Sequence, residues 1–283
     1  MKKILITGKN GQLGAELENL QTKFPQFEML FLTREQMDLS QPEEIQKVLE
    51  SAQPDIIINA GAYTAVDKAE SEIELCDKIN HLALKEIGTW AAENQAKVIH
   101  ISTDYVFDGS SKKPLKEDDK TAPINVYGST KLKGEQALNR SGAEYIIIRT
   151  AWVYSTYGAN FVKTMLRLMD EREELNVVND QIGAPTYARD LAKVIMHIVN
   201  SDRFVKGVYH YSNEGKISWY DFASAIKEIK GFSTKINAVE SSAFPTTAKR
   251  PNFSLLDTTK IKETYHIDIP HWKDSLKEML SSI

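Results

Sequence analysis

Five short apolar runs, at 3–7, 28–32, 55–59, 97–102 and 145–150, constrain the fold of this chain more than any other feature. Between them lie stretches with apolar residues at three- and four-residue spacing: 12–21, 42–51, 67–93 and 128–140. Runs of that length read as strands and the intervening stretches as helices. Strand and helix in strict alternation predict a parallel sheet covered on both faces, a doubly wound α/β fold of the Rossmann type. Such units close right-handed and gather their ligands at the carboxyl ends of the strands. After about residue 150 the pattern loosens. Strand-like pieces at 175–178 and 208–211 alternate with helices at 160–170, 188–200 and 219–229, which predicts a smaller α/β lobe. The expected division is 1–150 for a dinucleotide-binding domain and 151–283 mainly for a substrate-binding lobe, with the reaction in the cleft between them.

Composition excludes several classes. At 283 residues and 42% hydrophobic content, the chain can bury a large core. Lys and Arg number 35 against 39 Asp and Glu, and the absence of a basic stripe argues against nucleic acid as a partner. No stretch approaches the roughly 18 apolar residues of a membrane helix, and the apolar run after Lys2 and Lys3 is too short for a signal core. The expectation is a soluble, cytoplasmic protein. A single cysteine, Cys76, leaves no intramolecular disulfide and is expected as a buried small side chain. No Cys/His cluster offers a zinc site.

The first strand ends in Thr7 and runs into Gly8-Lys9-Asn10-Gly11-Gln12-Leu13-Gly14. Glycines where a strand turns into a helix let backbone amides approach a pyrophosphate, and the helix terminus favours its negative charge. The cofactor implied is a nicotinamide dinucleotide. Its variety is read at the end of the second strand, where an acidic residue suits the ribose hydroxyls of NAD and a guanidinium suits the 2′-phosphate of NADP. Here Leu32-Thr33-Arg34 points to NADPH, with NADH still possible and a solvated Arg34 the plainer alternative. Asp38 and Leu39 follow at a spacing suited to covering an adenine. Asp38 could equally belong to the start of the next helix, where Ser40 fits the cap better.

The fourth run becomes hydroxyl-rich at Ser102-Thr103-Asp104-Tyr105, where a substrate carbonyl would lie. The Thr103 hydroxyl can bond a carbonyl oxygen as it gains charge, or simply finish the strand with a local bond. Tyr127 and Lys131 stand four residues apart and share a helix face. An ammonium beneath the phenol would draw its value down from ~10 toward the working range and make Tyr127 a proton donor. Glycine loop, hydroxyl strand end and Tyr-x-x-x-Lys occur in an order that one nucleotide-binding sheet can bring together.

That order resembles the extended short-chain dehydrogenase/reductase family, and within it the reductases of dTDP-4-dehydro-L-rhamnose. The resemblance rests on 8–14, 59–70, 102–109, 127–135 (Tyr127-Gly128-x-x-Lys131-x-x-Gly134-Glu135), 149–154, 180–186 (Asp180-Gln181-x-Gly183-x-Pro185-Thr186) and 250–257. The segments 59–70 and 180–186 are far more specific than the glycine loop, and the resemblance spans nearly the whole chain. It implies hydride transfer from NADPH to a 4-keto sugar, with Tyr127 as acid, Lys131 lowering its pKa and holding the ribose, and Thr103 polarising the carbonyl. It places Ala60, Gly61, Ala62, Tyr63 and Ser102 at the cofactor, and Val66, Asp104, Tyr105 and Trp152 at the sugar. Trp152 could instead close a strand in the core. Arg250 could meet the diphosphate or be a surface ion-pair partner. Some members hold magnesium at a dimer contact; Glu16 matches one position, Asp190 stands near another, and no third partner is evident. Metal, and the choice of monomer or homodimer, are left unassigned.

Three rivals follow. A sugar-nucleotide dehydratase would carry Asp-Glu after the strand-end Thr, where this chain has Asp104-Tyr105. A 4-epimerase would carry an acid after Leu32 to hold NAD. A non-catalytic regulatory subunit would bind nucleotide and a partner enzyme without needing Thr103, Tyr127 and Lys131 intact.

Overall fold

The computed structural model describes residues 1–201 and 203–283. In chain order the first half contains β1 (Lys2–Thr7), α1 (Gln12–Leu20), β2 (Phe27–Leu32), α2 (Pro42–Ala52), β3 (Ile56–Asn59), α3 (Val66–Ala69), α4 (Ile73–Asp77), α5 (Ala83–Glu93), β4 (Lys97–Thr103), α6 (Val126–Arg140) and β5 (Glu144–Thr150). The second half adds β6 (Val153–Tyr154), α7 (Phe161–Glu171), β7 (Glu174–Val178), β8 (Ile182–Gly183), β9 (Thr186–Tyr187), α8 (Ala188–Asn200) and β10 (Gly207–His210). It ends with β11 (Ile217–Ser218), α9 (Trp219–Lys230), β12 (Lys235–Val239), α10 (Thr259–Tyr265) and α11 (Trp272–Leu280).

Six parallel strands form the central sheet in the order β10-β5-β4-β3-β1-β2. Its interior strands read as unbroken isoleucine-rich runs because both faces are covered. Alternate residues go to opposite faces. Ile4, Ile6, Ile58, Ile146 and Ile148 pack with Leu17 of α1 and Leu191 and Ile195 of α8. Leu5, Ile57, Val98 and Ile147 pack with Leu49 of α2 and Leu84 and Ile87 of α5 on the other side. Strand order reverses between β1 and β3, so the loops leaving those two strands diverge and open a crevice at their carboxyl ends.

The second lobe is built on β7 paired in parallel with β12 and on α7, α9 and α11, whose Val162, Met165, Phe222, Ile226, Leu276 and Met279 form a separate core. Its helices start on side-chain caps: Asn160 accepts from the Lys163 amide, and Ser218 with Asp221 forms a capping box. The chain also recrosses. After β6 to β9, α8 packs on α1 and β10 pairs with β5 at the edge of the first sheet.

Two expectations fail locally. The stretch 67–93 is not one helix: it breaks after α3, resumes as α4, and passes through a wide π turn at Lys78–Leu82 before α5. That turn brings Asn80 inward, where its carboxamide accepts from the Tyr63 amide at 2.9 Å and donates to the Tyr63 carbonyl at 3.1 Å. The other concerns the start of α2. The residue before its first turn is Gln41, without a side-chain cap, and Ser40 is instead bonded through its amide and hydroxyl to Asp38 at 2.9 and 2.7 Å. Pro42 has no amide to cap and its fixed backbone suits that position.

Candidate active site

A cavity of about 850 Å³ occupies the crevice, walled by the loops after β1, β2 and β3, the ends of β4 and β5, the first turns of α6, and Trp219 from the second lobe. Gly8 has φ +72°, and a side chain there would press on the backbone of Gly61 across the crevice. Only glycine supplies that conformation at that distance. The Gly11 amide closes the turn on the Gly8 carbonyl at 2.9 Å, and Gly11 begins α1 with no side-chain cap, so the first amides of the helix are left for an anion. Gly11, Gln12 and Leu13 line the cavity with Gly8; Asn10 and Gly14 do not, Gly14 being packed behind the Gly8 carbonyl.

Arg34, Asp38 and Leu39 form the rim beyond β2. Arg34 is 70% exposed, with its Nε 3.5 Å from Asp38, and so is available to an incoming charge. Asp38 is committed to Ser40 through Oδ1, and the Ser40 bonds and the Arg34 charge outweigh its burial and hold its carboxyl below the usual range. Ala60, Gly61, Ala62 and Tyr63 continue the wall after β3. The Tyr63 hydroxyl donates to Glu72 at 2.6 Å, which pushes the phenol up to about 12. A glycine cradle that excludes Cβ atoms, a free helix terminus and a guanidinium at the rim together fit a dinucleotide carrying a 2′-phosphate.

The chemistry-bearing groups converge where β4 meets α6. The Asn125 side chain accepts from the Gly128 amide at 2.7 Å and donates to the Lys249 carbonyl at 2.8 Å, which fixes the start of α6. Gly128 abuts the Tyr105 carbonyl so closely that no side chain fits between them. This docking sets Tyr127 against the strand end, edge-on to Tyr105 with ring centroids 5.7 Å apart. The Thr103 hydroxyl donates to Asp104 Oδ1 at 3.0 Å and accepts from the Tyr105 amide at 3.2 Å. Asp104 is buried, its Oδ2 has no partner, and burial pushes its carboxyl up to about 6.

Lys131 differs from its expectation. Its ammonium lies one turn along α6 from Tyr127, but Nζ donates to the Ile101 carbonyl at 2.6 Å and lies 3.1 Å from His100 Nε2. Burial brings its value down to about 8. The Tyr127 phenol is not drawn down: burial raises it above 10, and the pull of the Thr103 hydroxyl is smaller. Desolvation of an anion outweighs a charge whose hydrogen bonds are spent on strand β4.

Ser102 lines the cavity while its hydroxyl turns inward to Glu135 Oε1 at 2.5 Å, and Glu135 pairs with the buried Arg149 at 2.7 Å. Val66 opens α3 on the cavity wall. Trp152 has φ +48° and stacks on Trp219, centroids 3.7 Å apart and planes 15° from parallel, so it belongs to the cavity wall and the second core at once. Arg250 lies off this wall. Its guanidinium grips Asp67 at 2.6 and 3.1 Å and borders a smaller pocket of about 420 Å³ beside Lys249 and Gly109. The magnesium positions are likewise engaged in protein contacts: Glu16 accepts from Ser155 at 2.6 Å and lies 3.7 Å from Arg189, and Asp190 accepts from Ser275 at 2.6 Å. Among the described residues no group of three His, Cys, Asp or Glu side chains gathers to hold a metal.

Residues without an expected site role are Trp219, Asn80, Glu135 and the buried set Thr7, Asn59 and His100, although Asn59 and Glu135 stand within the motif segments. Their signal lies in strand register and inter-lobe packing, which spacing along the chain does not carry.

A family model described as the RmlD substrate binding domain matches residues 1–283. The chain belongs to that family. Within it, the chain is 44% identical to the dTDP-4-dehydrorhamnose reductase of Escherichia coli K12 over 99% of this chain and 97% of that protein. Among solved structures it resembles a dTDP-4-dehydrorhamnose reductase of Bacillus anthracis in complex with NADP, with TM-score 0.95, 36% identity and full coverage of both chains. A Clostridium acetobutylicum dTDP-4-dehydrorhamnose reductase matches with TM-score 0.94, 40% identity and 99% of each chain. The RmlD-family fold, a parallel nucleotide-binding sheet with a smaller second lobe, is therefore the fold of this protein.

Proposed function

We propose that this chain is an NADPH-dependent reductase that converts the 4-keto group of dTDP-4-dehydro-L-rhamnose to the alcohol of dTDP-L-rhamnose. The observation that carries the reading is the convergence of Thr103, Tyr127 and Lys131 on one wall of a cavity that begins at the Gly8 cradle. The names and coverage of its relatives support the substrate.

The loop from Gly8 to Leu13 would hold the pyrophosphate, Arg34 the 2′-phosphate, Asp38 and Leu39 the adenine end, and residues 60–63 with Ser102 the floor of the cofactor site. When bound, the reduced nicotinamide supplies a hydride to the carbonyl carbon. Thr103 polarises the carbonyl by turning its hydroxyl proton from Asp104 to the substrate, and Tyr127 gives its phenolic proton to the oxygen that gains the electron pair. Lys131, with its value about 8, is mostly ammonium at neutral pH and stabilises the phenolate left behind. Asp104 Oδ2, buried without a partner, is an acceptor for a sugar hydroxyl. Tyr105, Val66 and the Trp152 stack face the apolar side of a deoxysugar. Arg250 meets the diphosphate only by exchanging its grip on Asp67.

The test is NADPH oxidation on adding the 4-keto sugar nucleotide to wild type and to Tyr127→Phe, with cofactor binding followed separately by fluorescence. Loss of turnover by roughly 100-fold or more, with NADPH affinity retained, is the expected result. Tight NADPH binding without oxidation by the wild type overturns the proposal.

A further inference from the structure

Trp152 stands in a backbone conformation that its side chain disfavours, and neighbouring segments hold it there. It follows the end of β5 with φ +48°, in the left-handed region, where a bulky residue persists only when its surroundings over-determine it. The backbone is held by β9: the Thr186 amide donates to the Trp152 carbonyl at 3.2 Å, and the Thr150 hydroxyl donates to that of Thr186 at 3.0 Å. The indole is held on two sides. One face lies on Trp219 at 3.7 Å, and Cε2 and Cζ2 lie against Gly183 of β8, where an added Cβ would come within 3.1 Å of both. Gly183 has no positive φ, so its backbone would accept alanine. What excludes a side chain there is the indole, with the Ser254 hydroxyl 3.3 Å from the same point.

Trp219 and Gly183 belong to one unit of structure. β8 pairs antiparallel with β11, Gly183 opposite Ile217 and Ile182 opposite Ser218, and Trp219 is the first residue of α9 after Ser218. The capping box fixes that start: the Ser218 hydroxyl accepts from the Asp221 amide at 3.1 Å, and the Asp221 carboxylate accepts from the Ser218 amide at 2.8 Å. Behind the pair, Phe161 at the head of α7 closes on Trp219 with ring centroids 4.6 Å apart. Trp152 is on the chain leaving the first sheet, yet its indole is set by a ribbon and a helix of the second lobe. The sequence stretch 180–186 contributes Gly183 and Thr186 to this holder, which gives that motif a task that the reacting groups do not.

We propose that Trp219 is a positioning residue, acting with Gly183 and Thr186: together they hold Trp152 in the orientation that makes it a wall for the sugar, so the sugar site is complete only while the second lobe sits in register with the first. The kinetic consequence rests on the reductase reading; the geometric one does not. Without the stack, the strained residue relaxes, the aimed orientation becomes one of several, and apparent affinity for the sugar falls with the population of that orientation. The aromatic partners of Trp219 are Trp152, Phe161 and Phe222, none of them in the glycine loop or α6, so cofactor affinity and the hydride step are spared.

Two stacked indoles give a far-ultraviolet circular dichroism couplet that an isolated indole lacks, and the signal lost in Trp152→Phe assigns it. Trp219→Ala, Trp219→Phe and Gly183→Ala are compared with wild type for that couplet, for kcat and KM with dTDP-4-dehydro-L-rhamnose, for NADPH affinity and for melting temperature. Trp219→Ala should lose the couplet and raise KM by roughly tenfold, the upper range for an aromatic pair, with kcat and NADPH affinity within about threefold. Trp219→Phe keeps a ring on the indole and should recover most of the KM. Gly183→Ala retains both indoles; its methyl displaces the ring, so the couplet should weaken and KM rise by roughly threefold. A residue that only fills the second core would lower the melting temperature and the active fraction, hence kcat, and leave KM in place; that pattern in Trp219→Ala overturns the proposal. An unaltered couplet in Gly183→Ala also overturns it, as does a Trp219→Phe variant as impaired as the Ala one. If wild type does not oxidise NADPH, the reductase reading fails, and the couplet in Gly183→Ala still decides whether Trp152 is set from the second lobe.

Discussion

Asp104→Asn should alter the pH dependence of stability in a way that can be worked out beforehand. The Asp104 carboxyl is 2% exposed, accepts from the Thr103 hydroxyl with the Ser254 side chain also beside it, and is pushed by burial from an ordinary 3.8 up to about 6. In the unfolded chain it returns to its ordinary value. Between those values the native state binds the extra proton, so unfolding free energy falls as pH rises through this window. A displacement of about 2 units at about 1.4 kcal/mol each gives about 3 kcal/mol of stability, fully present below about pH 3 and fully lost to the wild type above about pH 7. Asparagine keeps an acceptor for Thr103 and never ionises. Its buried NH₂ adds an offset of about 1–3 kcal/mol that does not vary with pH. The difference in stability, variant minus wild type, should thus climb by about 2 kcal/mol from pH 4.5 to pH 8, the first ~1 kcal/mol having been lost below that range. Urea unfolding of both proteins at half-unit steps, with equal m-values, measures it. A difference curve flat to within about 1 kcal/mol would refute the argument that burial withholds this charge.

Three further outcomes follow from the same structure. Arg34→Ala should weaken NADPH binding by roughly 10-fold or more and leave NADH within about threefold, and titration of both cofactors checks it; equal losses would mean that Arg34 does not read the 2′-phosphate. Glu135→Gln strands the Arg149 guanidinium in the core, at a cost of about 3–5 kcal/mol, and should lower Tm by roughly 10 °C; a fall under about 3 °C would show that the pair is dispensable. Gly128→Ala forces a methyl against the Tyr105 carbonyl, so α6 must shift from β4. Turnover should drop at least about tenfold while the melting temperature falls only a few degrees, because the displaced residue is Tyr127.

The first lobe was legible because each strand is an uninterrupted apolar run and each crossover helix keeps a regular stripe. Ile56–Asn59 and Ala188–Asn200 were located to within a residue on that signal alone. The break at Lys78–Leu82 was not, since a π turn preserves apolar spacing well enough to pass for continuous helix. The end helices α10 and α11 escaped for a different reason: α10 has only seven residues, too few for periodicity to register, and α11 follows the loop residues His271 and Pro270 without a Ser, Thr, Asp or Asn cap. Within the site, Gly8, Thr103, Tyr127 and Lys131 could be picked out by type and order. The expected pull of Lys131 on Tyr127 could not be checked that way, because it depends on where Nζ finds its acceptors. The Ile101 carbonyl and His100 come from a neighbouring strand. Arg250 shows the same limit: its partner Asp67 lies 183 positions away.

The return of β10 to the edge of β5 has a consequence for how the chain is made. Synthesis delivers β1 to β5 by residue 150, but the outer edge of β5 stays without a neighbour until about residue 210 has left the ribosome. Over those sixty or so residues the second lobe begins to emerge while the first still exposes an unpaired, isoleucine-rich strand, a template for pairing with another nascent chain. A gene cut at residue 150 would fix that exposure permanently. Its product should aggregate, whereas a fragment extended past His210 closes the sheet.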